Sequence, residues 1–247
     1  MTYSDAKMIA MRQSAVDLNC EAEDFISDKN KVVLSKLNKG RKRYITETSF
    51  CNLVCYGNAC VASVDVNIKD FMECFMQKYD GRYCLEQYLI LDEEFKKYGK
   101  NIWKSESFIP DIRRLVIVSP DFDVNIYAED EICQFYRDKR FSNALGYKEY
   151  EAERRDVIAA VGRSADGQIM GIAGASNDSD TMWQVGIDVM PEFRGKGVAT
   201  ALLNILTAEI LKKNIVPFYT TPWSHVASKG VAVSSGYKPA WVNLAWW

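Results

Sequence analysis

Residues 182–213 read MWQVGIDVMPEFRGKGVATALLNILTAEILKK, and they decide the fold of the half of the chain in which they sit. The alternation in 181–189 is that of a strand, with Trp183, Val185, Ile187 and Val189 on one face and Gln184, Gly186 and Asp188 on the other. Met190-Pro191-Glu192-Phe193 and then Arg194-Gly195-Lys196-Gly197-Val198-Ala199 break the strand. A helix follows, with Ala199, Leu202, Leu203, Leu206 and Ile210 on one face and Lys212 and Lys213 at its negative end. Strand, glycine-rich loop and helix N-terminus together make an anion site, because the first-turn N–H groups converge unpaired and glycine lets the backbone come close to a pyrophosphate. Arg194 and Lys196 add positive charge. The Gly-x-Gly alone also fits a tight turn flanked by solvated basic residues. Spacing excludes two other phosphate motifs: G-x-x-x-x-G-K-[ST] is absent, and G-x-G-x-x-G would need glycine where Thr200 stands.

Outward from this stretch, 157–163 (VIAAVGR) and 168–175 (QIMGIAGA) read as strands joined by Ser164-Ala165-Asp166-Gly167, a strong hairpin signal. Asn177 to Asp180 turn the chain into the strand at 181–189, which predicts an antiparallel meander of three. AEDEICQFYRD (128–138) reads as a helix with acidic residues at its positive end. Residues 105–125, with two prolines, are the expected connection between an N-terminal α+β domain at 1–120 and a second domain at 121–247. In the first half, 3–20 is expected to be helical. NLVCY (52–56), Gly57-Asn58 and ACVASVDV (59–66) read as a hairpin. Ile68, Phe71, Met72, Phe75 and Tyr79 form one helical apolar stripe, read as core rather than as a ligand groove.

The chain has 247 residues, 48% hydrophobic and 26% charged, with a formal net charge of −2. Such a chain buries roughly 70–75% of its unfolded surface, so it folds without staples. With no block of lysine and arginine it has no footprint for nucleic acid or an anionic membrane. Seven cysteines and a first stretch lacking an apolar signal region suggest the cytoplasm. Cys51, Cys55 and Cys60 read as thiols buried in strands. The single histidine, His225, is too distant to complete a zinc knuckle with them, so no metal is expected. No apolar run reaches the ~20 residues that span a bilayer.

The loop resembles the hallmark Gln/Arg-x-x-Gly-x-Gly/Ala of the GNAT superfamily of acyl-CoA-dependent N-acyltransferases, with Arg194, Gly197 and Ala199 at its fixed positions. Many members carry Asn-x-x-Ala/Ser-x-x-x-Tyr-x-x-x-Gly-Phe about 30 residues later, and Ser228, Gly236 and Tyr237 keep that spacing. Over its full length the chain also resembles bacterial two-part GNAT proteins. The resemblance implies an α+β fold, a mixed, mainly antiparallel sheet flanked by helices, over about 121–247. The first 120 residues would be a degenerate second copy or a distinct cap; they contain no glycine-rich anion loop.

The resemblance also implies transfer of an acetyl group from acetyl-CoA to a primary amine on a small molecule or peptide. Backbone groups of Ile187, Val189 and Met190 would meet the pantetheine arm and polarise the thioester. Arg194, Gly195, Lys196, Gly197, Val198, Ala199 and Thr200 would hold the pyrophosphate, with Ser228 completing the cofactor site. Two positions depart from the pattern: His225 stands for asparagine, and Ala232 for the tyrosine that protonates the leaving thiolate. The catalytic candidates are therefore Asp188, for which a structural hydrogen bond is the favoured alternative, and His225 and Ser228, with Tyr219 behind them. His225 is expected to position the cofactor or cap the helix at 226–235. The missing tyrosine also motivates a second hypothesis, a non-catalytic acyl-CoA-binding or regulatory module. The acceptor and the oligomeric state are not encoded legibly.

Overall fold

A computed structural model describes residues 1–79, 81–115, 119–146 and 153–247. In chain order the helices and strands are α1 (Tyr3–Leu18), β1 (Lys31–Leu34), β2 (Cys51–Cys55), β3 (Cys60–Val64), α2 (Lys69–Lys78), α3 (Tyr88–Lys96), β4 (Ile102–Pro110), β5 (Asp123–Ala128), β6 (Asp156–Arg163), β7 (Ile169–Ser176), β8 (Met182–Val189), α4 (Val198–Lys212), β9 (Val216–Pro222), α5 (Val226–Ser234) and β10 (Tyr237–Trp246). The class is α+β, as the resemblance implies.

The chain divides into two units, and the division is interleaved rather than a cut near 120. One holds Met1–Ala6, Phe108–Thr220 and His225–Lys238; the other holds Lys7–Ser107, Thr221–Ser224 and Pro239–Trp247. The physical reason lies in β10. Its residues from Val242 to Trp246 pair antiparallel with Cys55 to Cys51 of β2, so the end of the chain is hydrogen-bonded into the unit built by its beginning.

In the first unit, β5, β6, β7 and β8 form an antiparallel run, and β9 adds to β8 in parallel. The predicted meander is present, with β5 as a further strand before it. A parallel neighbour needs a crossover, and α4 supplies it. Small residues in β6 and β7 let helices approach the sheet closely. On one face Ile158, Ala160, Ala173, Ala175 and Val185 pack against Val198, Leu202, Leu203, Leu206 and Ile210 of α4. On the other face Ala159, Val161 and Ile172 meet Ile132, Phe135, Phe141 and Leu145. The stretch predicted as a helix at 128–138 is instead a 3-10 turn, Glu129–Phe135, with a second at Lys139–Phe141.

In the other unit β1, β3, β2 and β10 lie in that order, β1 parallel to β3. The 52–66 hairpin forms, but Cys55 pairs with Cys60, so four residues link the strands rather than two. The stripe on α2 is core: Met72, Phe75 and Met76 pack with Leu53, Phe95 and Trp246. Cys51, Cys55 and Cys60 are buried there. The Lys42 ammonium sits 2.6 Å from the Asp17 carboxylate, both side chains almost fully buried. Strand β4 runs into the stretch read as a connection, of which 116–118 lie outside the described residues. Among the described residues no helix is long and apolar enough to cross a membrane, and no cluster of three His, Cys, Asp or Glu is placed to hold a metal.

Candidate functional site

After β8 one 3-10 turn begins at Pro191, and the chain then passes through Gly195 (φ 74°) and Gly197 (φ 79°), both left-handed. That conformation is strained for side chains with a Cβ and free for glycine. Gly197 is the N-cap of α4, with no side chain capping the helix and no acid in its first turn. A Cβ on Gly195 or Gly197 would have no atom within 4 Å, so the space before the helix end is open. The N–H groups of the first turn therefore face an open, positively polarised volume. Arg194 ties this loop to the strand: its Nε donates to the Val189 carbonyl at 3.0 Å. The Lys196 ammonium lies 5.4 Å from the centre of the Phe193 ring.

Beside the loop, β8 parts from β9. Their register runs from Met182 with Val216 to Val185 with Tyr219 and ends there, whereas β8 stays paired with β7 as far as Val189 with Gly171. Met190 N–H donates to Met170 C=O at 2.9 Å, which fixes the parity of the strand. Backbone groups of Gly186, Asp188 and Met190 face β7, and those of Ile187 and Val189 face the gap. Of the three backbone positions read from sequence, Met190 is thus turned away, its amide already used.

Asp188 stands on the face opposite α4. One carboxylate oxygen accepts from the N–H groups of Asn143 (2.8 Å) and Ala144 (2.9 Å), the other from Asn143 Nδ2 (2.7 Å). The same segment crosses the sheet over Gly174 and Gly186, which are register partners, and a Cβ on either would run into the Ala144 or Asn143 carbonyl oxygen. Glycines and carboxylate form one notch and clamp. Asp188→Ala is expected to lower stability by roughly 2 kcal/mol, since the lost bonds are charge-assisted. Urea midpoints of the two proteins measure it, and an unchanged midpoint would contradict the clamp.

Tyr219, the last β9 residue paired with β8, has its hydroxyl 2.7 Å from Ser228 Oγ on α5. Burial pushes its phenol above the ordinary tyrosine value, against the Ser228 hydrogen bond, and the Asp188 carboxylate adds to the rise. Its ring meets Tyr237 edge-on, centroids 6.5 Å apart. Ala232 is wholly buried in the same cluster. His225 occupies the N-cap position of α5 as a helix-capping role would require, but its exposed side chain makes no capping bond; its carbonyl accepts from Lys229 N–H at 3.2 Å. The fold thus brings Ser228 to Tyr219 and commits Asp188 to the 143–144 segment. Nothing in the sequence pattern marked Tyr219 as the end of a register; only the pairing of β8 with β9 does.

Residues 124–234 match the model of the acetyltransferase (GNAT) family. No curated protein matches the sequence. Similar solved structures include a GCN5-related N-acetyltransferase-like protein from Streptococcus suis 89/1591, 19% identical, covering 63% of this chain and 67% of that one with a TM-score of 0.46. A GNAT-family acetyltransferase from Colwellia psychrerythraea is 14% identical, covering 59% of this chain and 56% of that one with a TM-score of 0.43, so the chain spans little more than half of its length. An aminoglycoside N-acetyltransferase in complex with CoA is 21% identical, covering 50% of this chain and 93% of that one with a TM-score of 0.38. With the loop, the parted strands and the matched family model agreeing, residues 124–234 of this chain form a GNAT acetyltransferase domain.

Proposed function

We propose that this protein is a cytoplasmic N-acetyltransferase that moves an acetyl group from acetyl-CoA to a primary amine of a small molecule or peptide. The observation that carries this is the junction of two features: a gap that opens beyond Val185 and Tyr219, and an uncapped helix end at Gly197 tied to the rim of that gap through Arg194 and Val189. A gap that leads to an uncapped helix end suits a long ligand with an anionic end. First-turn N–H groups from Val198 to Thr200, with Lys196, meet the pyrophosphate; the backbone of Ile187 and the Val189 N–H, on the edge of β8 turned away from β7, pair with the pantetheine arm and polarise the thioester carbonyl.

An attacking amine must be neutral, and with a solution pKa of about 10 it reaches the site protonated at pH 7, so water or a base removes its proton. Asp188 is assigned to the clamp rather than to this step, because its oxygens already accept from Asn143 and Ala144. His225 is assigned a contact to the cofactor at the exposed helix start.

Acetyl-CoA at one hundred times its dissociation constant is expected to stabilise the protein by about 2.7 kcal/mol. In a chain of this size that corresponds to a rise in melting temperature of about 5–10 °C. A melting temperature unmoved by saturating acetyl-CoA would remove the basis of the assignment. The buried Ala232, where the resemblance leads one to expect a tyrosine acid, favours a second reading, a non-catalytic acyl-CoA-binding module. Steady thiol release with any member of a panel of amines and peptides excludes it.

A further inference from the structure

We propose that Cys55 and Cys60 form a hydroperoxide-reactive dithiol, in which Cys55 takes the peroxide oxygen and Cys60 closes a disulfide onto it across the β2–β3 hairpin. The site is independent of acyl transfer. Its geometry is set by register, for Cys55 and Cys60 are direct partners in the two antiparallel strands. Just beyond the Cys51–Val64 pair, Asp65 N–H donates to the Phe50 carbonyl at 2.8 Å; pair types alternate from there, which makes Cys55–Cys60 a close pair that exchanges no backbone hydrogen bond. The Cys60 N–H accordingly goes to Asn30 Oδ1 at 2.9 Å. The α-carbons of such a pair stand about 4.5 Å apart, within the window of about 4.4–6.8 Å that a disulfide accepts.

The two sulfurs have different surroundings. The Cys60 thiol donates to the Cys55 sulfur, and the Gly57 amide approaches that sulfur at 3.4 Å. Together with the Arg82 and Lys7 charges these bonds outweigh burial and hold the Cys55 thiol down to about 7, so about half of it is thiolate near neutral pH. Both cations are fixed beside the turn, Arg82 by a bond to the Gly57 carbonyl at 3.2 Å and Lys7 by one to the Tyr56 carbonyl at 3.4 Å. Cys60, hydrogen-bonded to Cys55 and to Cys84 and buried, is pushed up and stays a thiol. A thiolate beside a thiol is what attack on a peroxide and resolution to a disulfide require. Cys51, in the same strand and the same core, is only buried, which pushes it up and leaves it inert. Gly57 and Asn58 are exposed, and a Cβ on Gly57 would meet no atom within 4 Å, so solvent lies one turn away from the Cys55 sulfur.

The step balances. The Cys55 thiolate attacks one oxygen of the hydroperoxide, the O–O bond breaks, and the departing alkoxide or hydroxide takes a proton from water, leaving Cys55 as the sulfenic acid. The Cys60 sulfur then attacks the Cys55 sulfur, the S–O bond breaks, and the hydroxide leaves as water with the Cys60 proton. Two thiols are oxidised to one disulfide, and the hydroperoxide is reduced to an alcohol, or to water, and a further water.

The test is treatment of the reduced full-length protein with hydrogen peroxide in small excess, alkylation of the remaining thiols in denaturant, and mass-spectrometric mapping of each cysteine. The Cys55–Cys60 disulfide is expected to form about threefold faster than the exposed Cys74 and Cys133 are oxidised, since a thiolate fraction about fifteenfold larger is partly offset by weaker nucleophilicity. Cys51 should be recovered as the thiol. In Cys60→Ser, Cys55 should stop at the sulfenic acid and be trapped by dimedone. A wild type in which Cys74, Cys133 or Cys51 is oxidised first, or in which Cys60 pairs with Cys84, overturns the proposal without any variant having to fold. Dimedone found on another cysteine of Cys60→Ser, and not on Cys55, does the same.

Discussion

Gly186→Ala is expected to destabilise the protein by about 3 kcal/mol, the upper end of the usual cost of overpacking. The added carbon would collide with the Asn143 carbonyl oxygen, which is backbone and cannot swing aside as a side chain would. Retreat of that segment is opposed by Asp188, which holds both the Asn143 and Ala144 amides. Gly174→Ala should behave alike, because Gly174 is the register partner of Gly186 and meets the Ala144 carbonyl oxygen. Gly230 in α5 is the control. It has open space around its Cβ position and is helical, so Gly230→Ala should be neutral or stabilising by up to about 1 kcal/mol. Denaturant midpoints give all three values, and a Gly186→Ala protein within about 0.5 kcal/mol of wild type would mean that the segment does not cross there.

Gly197→Asp is expected to abolish stabilisation by acetyl-CoA, a loss of about 2.7 kcal/mol at one hundred times the wild-type dissociation constant. The free protein should lose only about 1 kcal/mol, the cost of a Cβ in the left-handed conformation at Gly197. No atom lies within 4 Å of the new Cβ, aspartate tolerates the left-handed conformation better than most residues, and a carboxylate at a helix N-cap is itself favourable. The same charge that suits the helix repels a pyrophosphate, so stability of the free protein and binding move apart. Gly197→Asn, equal in size and uncharged, should retain part of the response. Thermal melts of the three proteins with and without acetyl-CoA read this directly. A full ligand-induced shift in Gly197→Asp would place the anion elsewhere.

Local rules made much of the second half legible. Asp166-Gly167 fixed one hairpin and the 177–180 turn the next; alternation assigned Ile187 and Asp188 to opposite faces; Gly195 and Gly197 marked the turn into α4. Each depends on residues within a few positions of one another. The strands that escaped notice lack such patterns. β1 is four residues long, β4 carries two serines and a glutamate, and β10 contains Pro239 and buries residues without strict alternation. The 128–138 stretch has helical composition but continues only as 3-10 turns, because it ends in the short segment that must cross Gly174 and Gly186.

By itself the sequence determined the antiparallel meander and the glycine turn into α4, since turn geometry, side-chain alternation and helix ends are set by neighbours along the chain; the α+β class followed from the family resemblance. Tertiary structure alone decided that the chain's end belongs with its beginning, that Asp188 clamps Asn143 and Ala144 rather than standing free, and that Tyr219 reaches Ser228 at the parting of two strands. Asp188 and Asn143 are separated by 45 positions, and a hydrogen bond between them depends on the register of strands whose pairing no local pattern encodes.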